Sequence, residues 1–212
     1  MENIIKKPKN YFSQAWEIFQ KKWKFLYKAF LIILLVQIVV SLLGCYYEEN
    51  TLQLVSLMTS LAGSFLNLIM SMGLTILLLR VVRNEDASIS QLFDVKQNIL
   101  VYIWASVRVN LIVIAGFILL VIPGIIWGIK YSFVQFLVID KRVKAKEAMK
   151  MSAKMTEGIK GKIFVFGLFS FFVNLLGFLA FGVGLLISIP VSYLAFALLY
   201  NSLLPRIEAK QN

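Results

Sequence analysis

The sequence has no histidine and only one cysteine, Cys45, among its 212 residues. Without a second cysteine the chain cannot form an internal disulfide. Without histidine it has neither a His/Cys zinc site nor histidine acid–base chemistry. Acidic residues are also few, 11 against 22 Lys and Arg, and none lies inside a predicted span. These absences remove the most common metal and catalytic sites, so we expect no metal and no cofactor.

Hydrophobic residues are abundant, at 59% of the chain against 16% charged residues, and the mean hydropathy is +0.80. Soluble domains are closer to half apolar and a quarter charged. Long apolar runs without charge are typical of transmembrane helices, so we predict an all-α, polytopic membrane protein. The net charge of +11 would suggest nucleic acid in a soluble protein. Here the basic residues cluster between apolar runs, which favours anionic lipid as the binding partner. We therefore expect no nucleic-acid partner.

Six transmembrane spans are predicted, with both termini in the cytoplasm. Basic clusters fall in the N-terminus, the second and fourth loops and the C-terminus, and the positive-inside rule then sets this orientation. Residues 1–24 are predicted to form a basic amphipathic interfacial segment, 25–204 the membrane domain and 205–212 a cytoplasmic tail. The length suits one helical bundle and no second soluble domain. The predicted spans are 25–45, 52–79, 99–121, 123–139, 163–181 and 185–204.

The N-terminal segment carries aromatic residues on one helical face. Phe12, Trp16, Phe19 and Trp23 recur at spacings of four and three, and lysines are interleaved with them. This pattern favours an interfacial helix with Trp16 and Trp23 among lipid headgroups; the alternative is that the helix packs under the bundle. The cysteine at the end of the first span resembles a lipoprotein processing site, but the long apolar run favours a buried thiol.

The dipeptide Pro123-Gly124 is predicted to be the turn that opens the fourth span. A basic amphipathic helix follows that span, and Gly158 is predicted to end it. The residues of this helix divide between two faces, and the basic face should contact lipid headgroups or an acidic partner. Pro190 is expected to interrupt the sixth span. The two sides consist of Ala145, Ala148, Met149, Ser152, Met155 and Thr156, and of Lys146, Glu147, Lys150, Lys154 and Glu157.

Arg108 and Lys130 are charges well inside apolar spans. Arg108 follows the start of its span by nine residues, or about 14 Å at the helical rise. An unpaired cation near the midplane costs at least about 3 kcal/mol. Arg108 is therefore the best ligand-binding candidate, with a structural hydrogen-bonding role as an equal alternative, whereas Lys130 can reach the interface by snorkelling. The remaining polar candidates for a ligand site, which singly are more often contacts between helices, are Asn110, Ser132 and Gln135.

Several short patterns recur together in the second half of the chain. They are I-P-G-I-I at 122–126, Tyr131-Ser132, the helix through Ser152 to Gly158, F-L-A-F-G-V-G-L-L-I-S-I-P at 178–190, and Tyr200. In combination they resemble a broad family of bacterial membrane proteins of unknown function, the DUF975 family. They are also similar to the membrane domain attached to some glycerophosphodiester phosphodiesterases. The resemblance implies a six-helix fold in a bacterial cytoplasmic membrane. It transfers no catalytic residue, and phosphodiesterase activity is not expected without the soluble domain.

The sequence contains no recognisable catalytic pattern: no nucleophile–base pair, no HExxH and no phosphate-binding loop. We therefore expect a non-enzymatic membrane scaffold or accessory subunit. Its cytoplasmic face would bind anionic headgroups of the inner leaflet or a protein partner in the membrane. The alternative is a small transporter or channel with an anion site near Arg108. A membrane-embedded enzyme acting on lipid is a more distant third hypothesis.

Overall fold

The computed structural model describes residues 7–50, 53–93, 99–180 and 182–208, without the side chains of 45–50, 53 and 56. Within these ranges the regular structure is helical and contains no strand, which confirms the predicted all-α fold. The predictions for 1–6, for 209–212 and for the thiol of Cys45 lie outside the described residues. The elements are α1 Pro8–Asn50, α2 Gln53–Val82, a 3₁₀ turn Ile89–Leu92, α3 Ile99–Leu119, α4 Val121–Tyr131, α5 Val134–Lys141, α6 Ala145–Thr156, α7 Lys160–Leu179, α8 Leu185–Leu203 and α9 Pro205–Glu208.

Six stretches of the described chain are long and apolar enough to cross a membrane, as predicted. The shortest has 20 residues, which matches the length of about 20 that a hydrocarbon core requires. The helices α4 and α5 together form one stretch, because only two residues separate them. The stretches are Pro8–Gly44, Leu57–Val82, Ile99–Leu119, Val121–Lys141, Lys160–Leu179 and Leu185–Glu208.

The helix α8 runs through the centre of the bundle. Its buried side chains are spread around the helix and include Val191, Leu194 and Tyr200. In contrast, α7 is almost as apolar but exposes large side chains such as Phe171 and Leu176. A helix that is apolar all round packs on protein or on lipid, so the exposed side of α7 is suited to lipid contact.

The N-terminal segment joins the first span in one helix, α1, with a kink at Lys22 where the backbone leaves helical geometry (φ −117°, ψ 21°). Before the kink, the buried side is centred on Tyr11, Ala15 and Phe19, four residues apart. Trp16 and Trp23 lie beside this line and are 43% and 50% exposed. Part of the predicted aromatic face therefore packs on the bundle, and the two tryptophans do not.

The predicted Pro-Gly turn is wrong, because the turn lies three residues earlier. Leu120 is extended (φ −166°, ψ 152°), and α4 begins at Val121, so that Pro123 and Gly124 lie in its first turn. The first backbone N–H groups of a helix have no intrahelical acceptor, so proline is tolerated there. A Cβ atom at Gly124 would lie 2.6 Å from the Phe117 ring. This glycine therefore serves the close approach of α3 and α4, not the turn.

The fourth span was predicted as one helix over 123–139, and the structure divides it. The helix α4 ends at Tyr131, α5 begins at Val134, and Ser132 and Phe133 separate them. The second piece extends to Lys141 and is followed by Arg142 in the left-handed region (φ 52°). No glycine or proline marks this break, so hydropathy and turn signals did not reveal it.

The basic amphipathic helix was predicted correctly. The side chains of the face that begins with Ala145 are buried against the bundle, except that of Met149, which is partly exposed. Gly158 follows the end of α6 with φ +72°, a conformation that favours glycine. The prediction for Pro190 is wrong: it is buried within α8, which continues without interruption. It lies in the second turn, so the loss of its N–H affects only one backbone bond near the start of the helix.

Candidate functional site

Charged side chains join α2, α5 and α8 at their carboxyl ends. The Arg83 guanidinium donates to both oxygens of Asp140, at 2.6 Å to Oδ1 and 2.9 Å to Oδ2. The Tyr200 hydroxyl donates to Asp140 Oδ2 at 2.8 Å, and Arg83 Nε donates to Asn201 Oδ1 at 3.3 Å. The hydrogen bond to Asp140 raises the pKa of Arg83, which therefore keeps its charge. A bidentate pair of this kind fixes both side chains in orientation as well as in distance.

The end of the chain is tied to the same part of the bundle. Lys141 Nζ lies 2.8 Å from Glu208 Oε1, and this bond links α5 to α9. The Arg206 guanidinium donates to the carbonyl oxygens of Met155 and Glu157, both at 3.0 Å. These contacts place the end of α6 beside α9. We call this region, formed by the carboxyl ends of α2, α5 and α8 with α6 and α9, the charged end of the bundle.

Ser152 connects α6 to the break in the fourth span. Its Oγ donates to the Lys130 carbonyl at 2.8 Å and accepts from the Phe133 backbone N–H at 3.4 Å. An unbroken α-helix would satisfy both groups within itself, but the break frees them. The fully buried serine hydroxyl therefore replaces part of the interrupted hydrogen-bond ladder. Ser152 was predicted as part of a structural motif, and its contacts show which structure it serves.

The polar side of α6 carries three exposed lysines at intervals of four residues, Lys146, Lys150 and Lys154. Residues four apart lie on the same helical face, about 6 Å from one to the next. Within the described part of the chain, none of the three forms a salt bridge. The opposite side of the helix is held by Ser152, so these cations are presented on an anchored helix.

The predicted ligand residues do not form one site. Arg108 is exposed on the outside of α3, with its guanidinium carbon 5.9 Å from the Trp104 ring centre, and Asn110 is exposed as well. An anion at Arg108 would therefore be bound from outside the bundle. Gln135 contacts α3 through its Nε2, which donates to Ser106 Oγ at 3.4 Å.

The other two predicted ligand residues also have local partners. Lys130 Nζ lies 5.3 Å from the neighbouring Tyr131 ring, and the Ser132 hydroxyl donates to the Ile129 carbonyl at 2.9 Å. Both contacts are within or next to α4, so neither contact directs its side chain toward Arg108.

A groove of about 600 Å³ lies between α4, α7 and α8 and is lined mainly by apolar side chains, with Ser132 at its edge. Its polar part is centred on Asn174, whose Nδ2 donates to Ser192 Oγ at 2.9 Å. The Ser188 hydroxyl donates to Asn174 Oδ1 at 2.9 Å. Because these groups satisfy one another, the cluster joins α7 to α8 and leaves the groove apolar.

The Arg83–Asp140–Tyr200 group was missed as a unit. From the sequence, neither Arg83 nor Asp140 was singled out as a candidate site residue, and Tyr200 was named only within the family resemblance. The one available signal was a lone acid at the end of an apolar span, in a chain with few acids. Since 57 residues separate Arg83 from Asp140, the pairing depends on which helices are neighbours.

Comparison with protein-family models, with curated proteins and with solved structures finds no match. The resemblance to the DUF975 family and to the phosphodiesterase membrane domain therefore stays a prediction.

Proposed function

We propose that this protein is a non-enzymatic membrane scaffold or accessory subunit whose charged end binds anionic lipid headgroups. The observation that carries the proposal is the exposed lysine face of α6, on a helix anchored by Ser152. Each basic side chain near an anionic membrane surface contributes about 1 kcal/mol of attraction. Three such cations on one face favour an anionic headgroup over a zwitterionic one.

The proposal includes an orientation, with the charged end in the cytoplasm of a bacterial cell. The positive-inside rule supports it, because Arg80 lies in the last turn of α2, and Arg83 and the α6 lysines lie in segments that connect spans at this end. Exposed aromatic side chains such as Trp16 and Trp23 are typical of the headgroup layer on either side, and the lysines next to them favour the cytoplasmic side. Lys24 Nζ, for example, lies 5.8 Å from the Trp23 ring centre.

Lipid retention tests the proposal. The full chain is purified in neutral detergent, mixed with equal amounts of phosphatidylglycerol and phosphatidylcholine, and the bound lipids are counted by native mass spectrometry. We expect phosphatidylglycerol to be retained in preference. The variant K146Q/K150Q/K154Q should lose most of this preference, because it removes three positive charges without shortening the helix. The matched control K146R/K150R/K154R keeps the charges and should bind as the native chain does.

Two outcomes would contradict the proposal. An unchanged preference in the glutamine variant would mean that the lysines serve orientation alone. The orientation itself is tested in a Cys45→Ser background with single cysteines at Glu48 or Lys150, labelled from one side of intact cells. If one membrane-impermeant reagent reaches both positions, the proposed topology is wrong.

A further inference from the structure

A second polar feature of the charged end is a cavity of about 330 Å³ between the end of α2 and the end of α5. It differs from the groove described above, because charged side chains dominate its rim. None of the α6 lysines lines it. Its charged and polar lining residues are Arg80, Arg83, Glu85, Gln91, Asp140 and Arg142. We call this cavity the arginine pocket.

The charges of the arginine pocket do not cancel. Asp140 is neutralised by Arg83, which holds both of its oxygens. Among the described lining residues, the remaining charges are those of Arg80 and Arg142 against that of Glu85. Within the described part of the chain neither of these two arginines has a carboxylate within 4.0 Å. The lining therefore has one positive charge in excess, which favours an anion.

The backbone at the end of α2 repels an anion less than a helix carboxyl end usually does. A helix carboxyl end normally presents free carbonyl oxygens, which repel negative charge. Here Asn84 adopts a left-handed conformation (φ 56°), and the N–H of Glu85 donates to the Arg80 carbonyl at 2.9 Å. The N–H of Asn84 donates to the Val81 carbonyl at 3.2 Å. Two of the last carbonyls of α2 are thus already satisfied.

Arg142 occupies a backbone position that disfavours its own residue type. Its φ of 52° lies in the left-handed region, where glycine would be less strained. Non-glycine residues in that region cost stability and are concentrated at functional sites. The feature that arginine adds here, relative to glycine, is a guanidinium group at the rim of the pocket.

We propose that the arginine pocket binds a phosphate group through Arg80 and Arg142, with the neutral Arg83–Asp140 pair as a fixed wall. The planar guanidinium donates two parallel N–H groups, which match two phosphate oxygens. A cavity of about 330 Å³ has room for a phosphate with a small polar group attached. This site goes beyond the function proposed above, because it is discrete and does not use the α6 lysines. The phosphate has two possible sources, a free phosphate or a phospholipid headgroup.

Binding to the purified full chain tests the site. Inorganic phosphate and a short-chain phosphatidylglycerol are titrated separately by calorimetry in neutral detergent, with a short-chain diacylglycerol as the phosphate-free control. We expect at least one phosphate compound to bind and the diacylglycerol not to. Binding of inorganic phosphate would identify a free phosphate as sufficient. Binding of phosphatidylglycerol alone would identify a lipid headgroup.

Variants assign this binding to the pocket. R80Q and R142G should each weaken the affinity by about tenfold or more, since each removes a charge-assisted contact. Glycine suits the backbone at 142, so R142G should unfold at the same temperature as the native chain or higher. A loss of binding in R142G therefore cannot be attributed to misfolding. The control K9Q removes an exposed positive charge outside the pocket and should bind as the native chain does.

The lipid-retention variant separates the two proposals. K146Q/K150Q/K154Q should bind the phosphate compound with native affinity, even where it has lost its preference for anionic lipid. The arginine pocket is refuted if no phosphate compound binds, or if R80Q and R142G bind as tightly as the native chain.

Discussion

Replacing Ser152 with alanine should destabilise the bundle by more than the removal of one small hydroxyl group suggests. The hydroxyl satisfies two backbone groups at the break in the fourth span, the Phe133 N–H and the Lys130 carbonyl, which the Thr156 hydroxyl reaches only at 3.5 Å. Leaving a buried polar group without a partner costs about 1–3 kcal/mol. The bond to Phe133 is long, at 3.4 Å, so we expect a loss of about 2–4 kcal/mol for both groups together.

The measurement is the unfolding of the full chain in mixed micelles with increasing dodecyl sulfate, followed by tryptophan fluorescence. Ser64→Ala is the matched control, because the Ser64 hydroxyl donates only to the Ser60 carbonyl of its own helix at an exposed position. Both changes share the small gain of alanine in helix propensity, roughly 0.5 kcal/mol. If Ser152→Ala unfolds within about 0.5 kcal/mol of the control, the argument that the serine bridges the break is refuted.

Two further predictions concern the contacts between helices, with the same unfolding measurement. Asp140→Asn should lower the free energy of unfolding by about 2–3 kcal/mol, because it leaves the partly buried Arg83 without its anion. Tyr200→Phe removes one hydrogen bond and should cost only about 1 kcal/mol; equal losses would contradict this ranking. Gly184→Ala should cost about 1–3 kcal/mol, because a Cβ there would lie 2.6 Å from a backbone oxygen of α7. Gly167→Ala, whose Cβ meets no atom within 4 Å in the middle of α7, should be neutral or stabilise by up to about 1 kcal/mol, and equal effects at the two glycines would refute the packing argument.

The elements that the sequence predicted best are those that depend on local pattern. The six apolar stretches follow from hydropathy and length alone. The division of α6 into an apolar and a polar side follows from the sequence, because its apolar residues recur with the 3.6-residue period of an α-helix. The end of α6 follows from Gly158, which takes a conformation that favours glycine. None of these features requires knowledge of which helices are neighbours.

Inside the apolar spans, the local sequence pattern contains less information about how the helices pack. Both sides of a membrane helix are apolar, so hydropathy does not tell which side meets protein and which meets lipid. For this reason the sequence did not show that Arg108 is exposed on α3. Nor did it show that Tyr11 and Ala15, and not the neighbouring Trp16, are buried against the bundle.

The sequence alone therefore determined a six-span helical protein with a basic amphipathic helix, because chain-local hydrophobicity and charge are sufficient for both. Only the tertiary structure decided the break after Tyr131, its repair by Ser152, and the pairing of Arg83 with Asp140. These contacts join residues between 19 and 57 positions apart. Their partners become neighbours only when the helices pack, and packing depends on the shapes of whole helix surfaces, which no single segment of sequence contains.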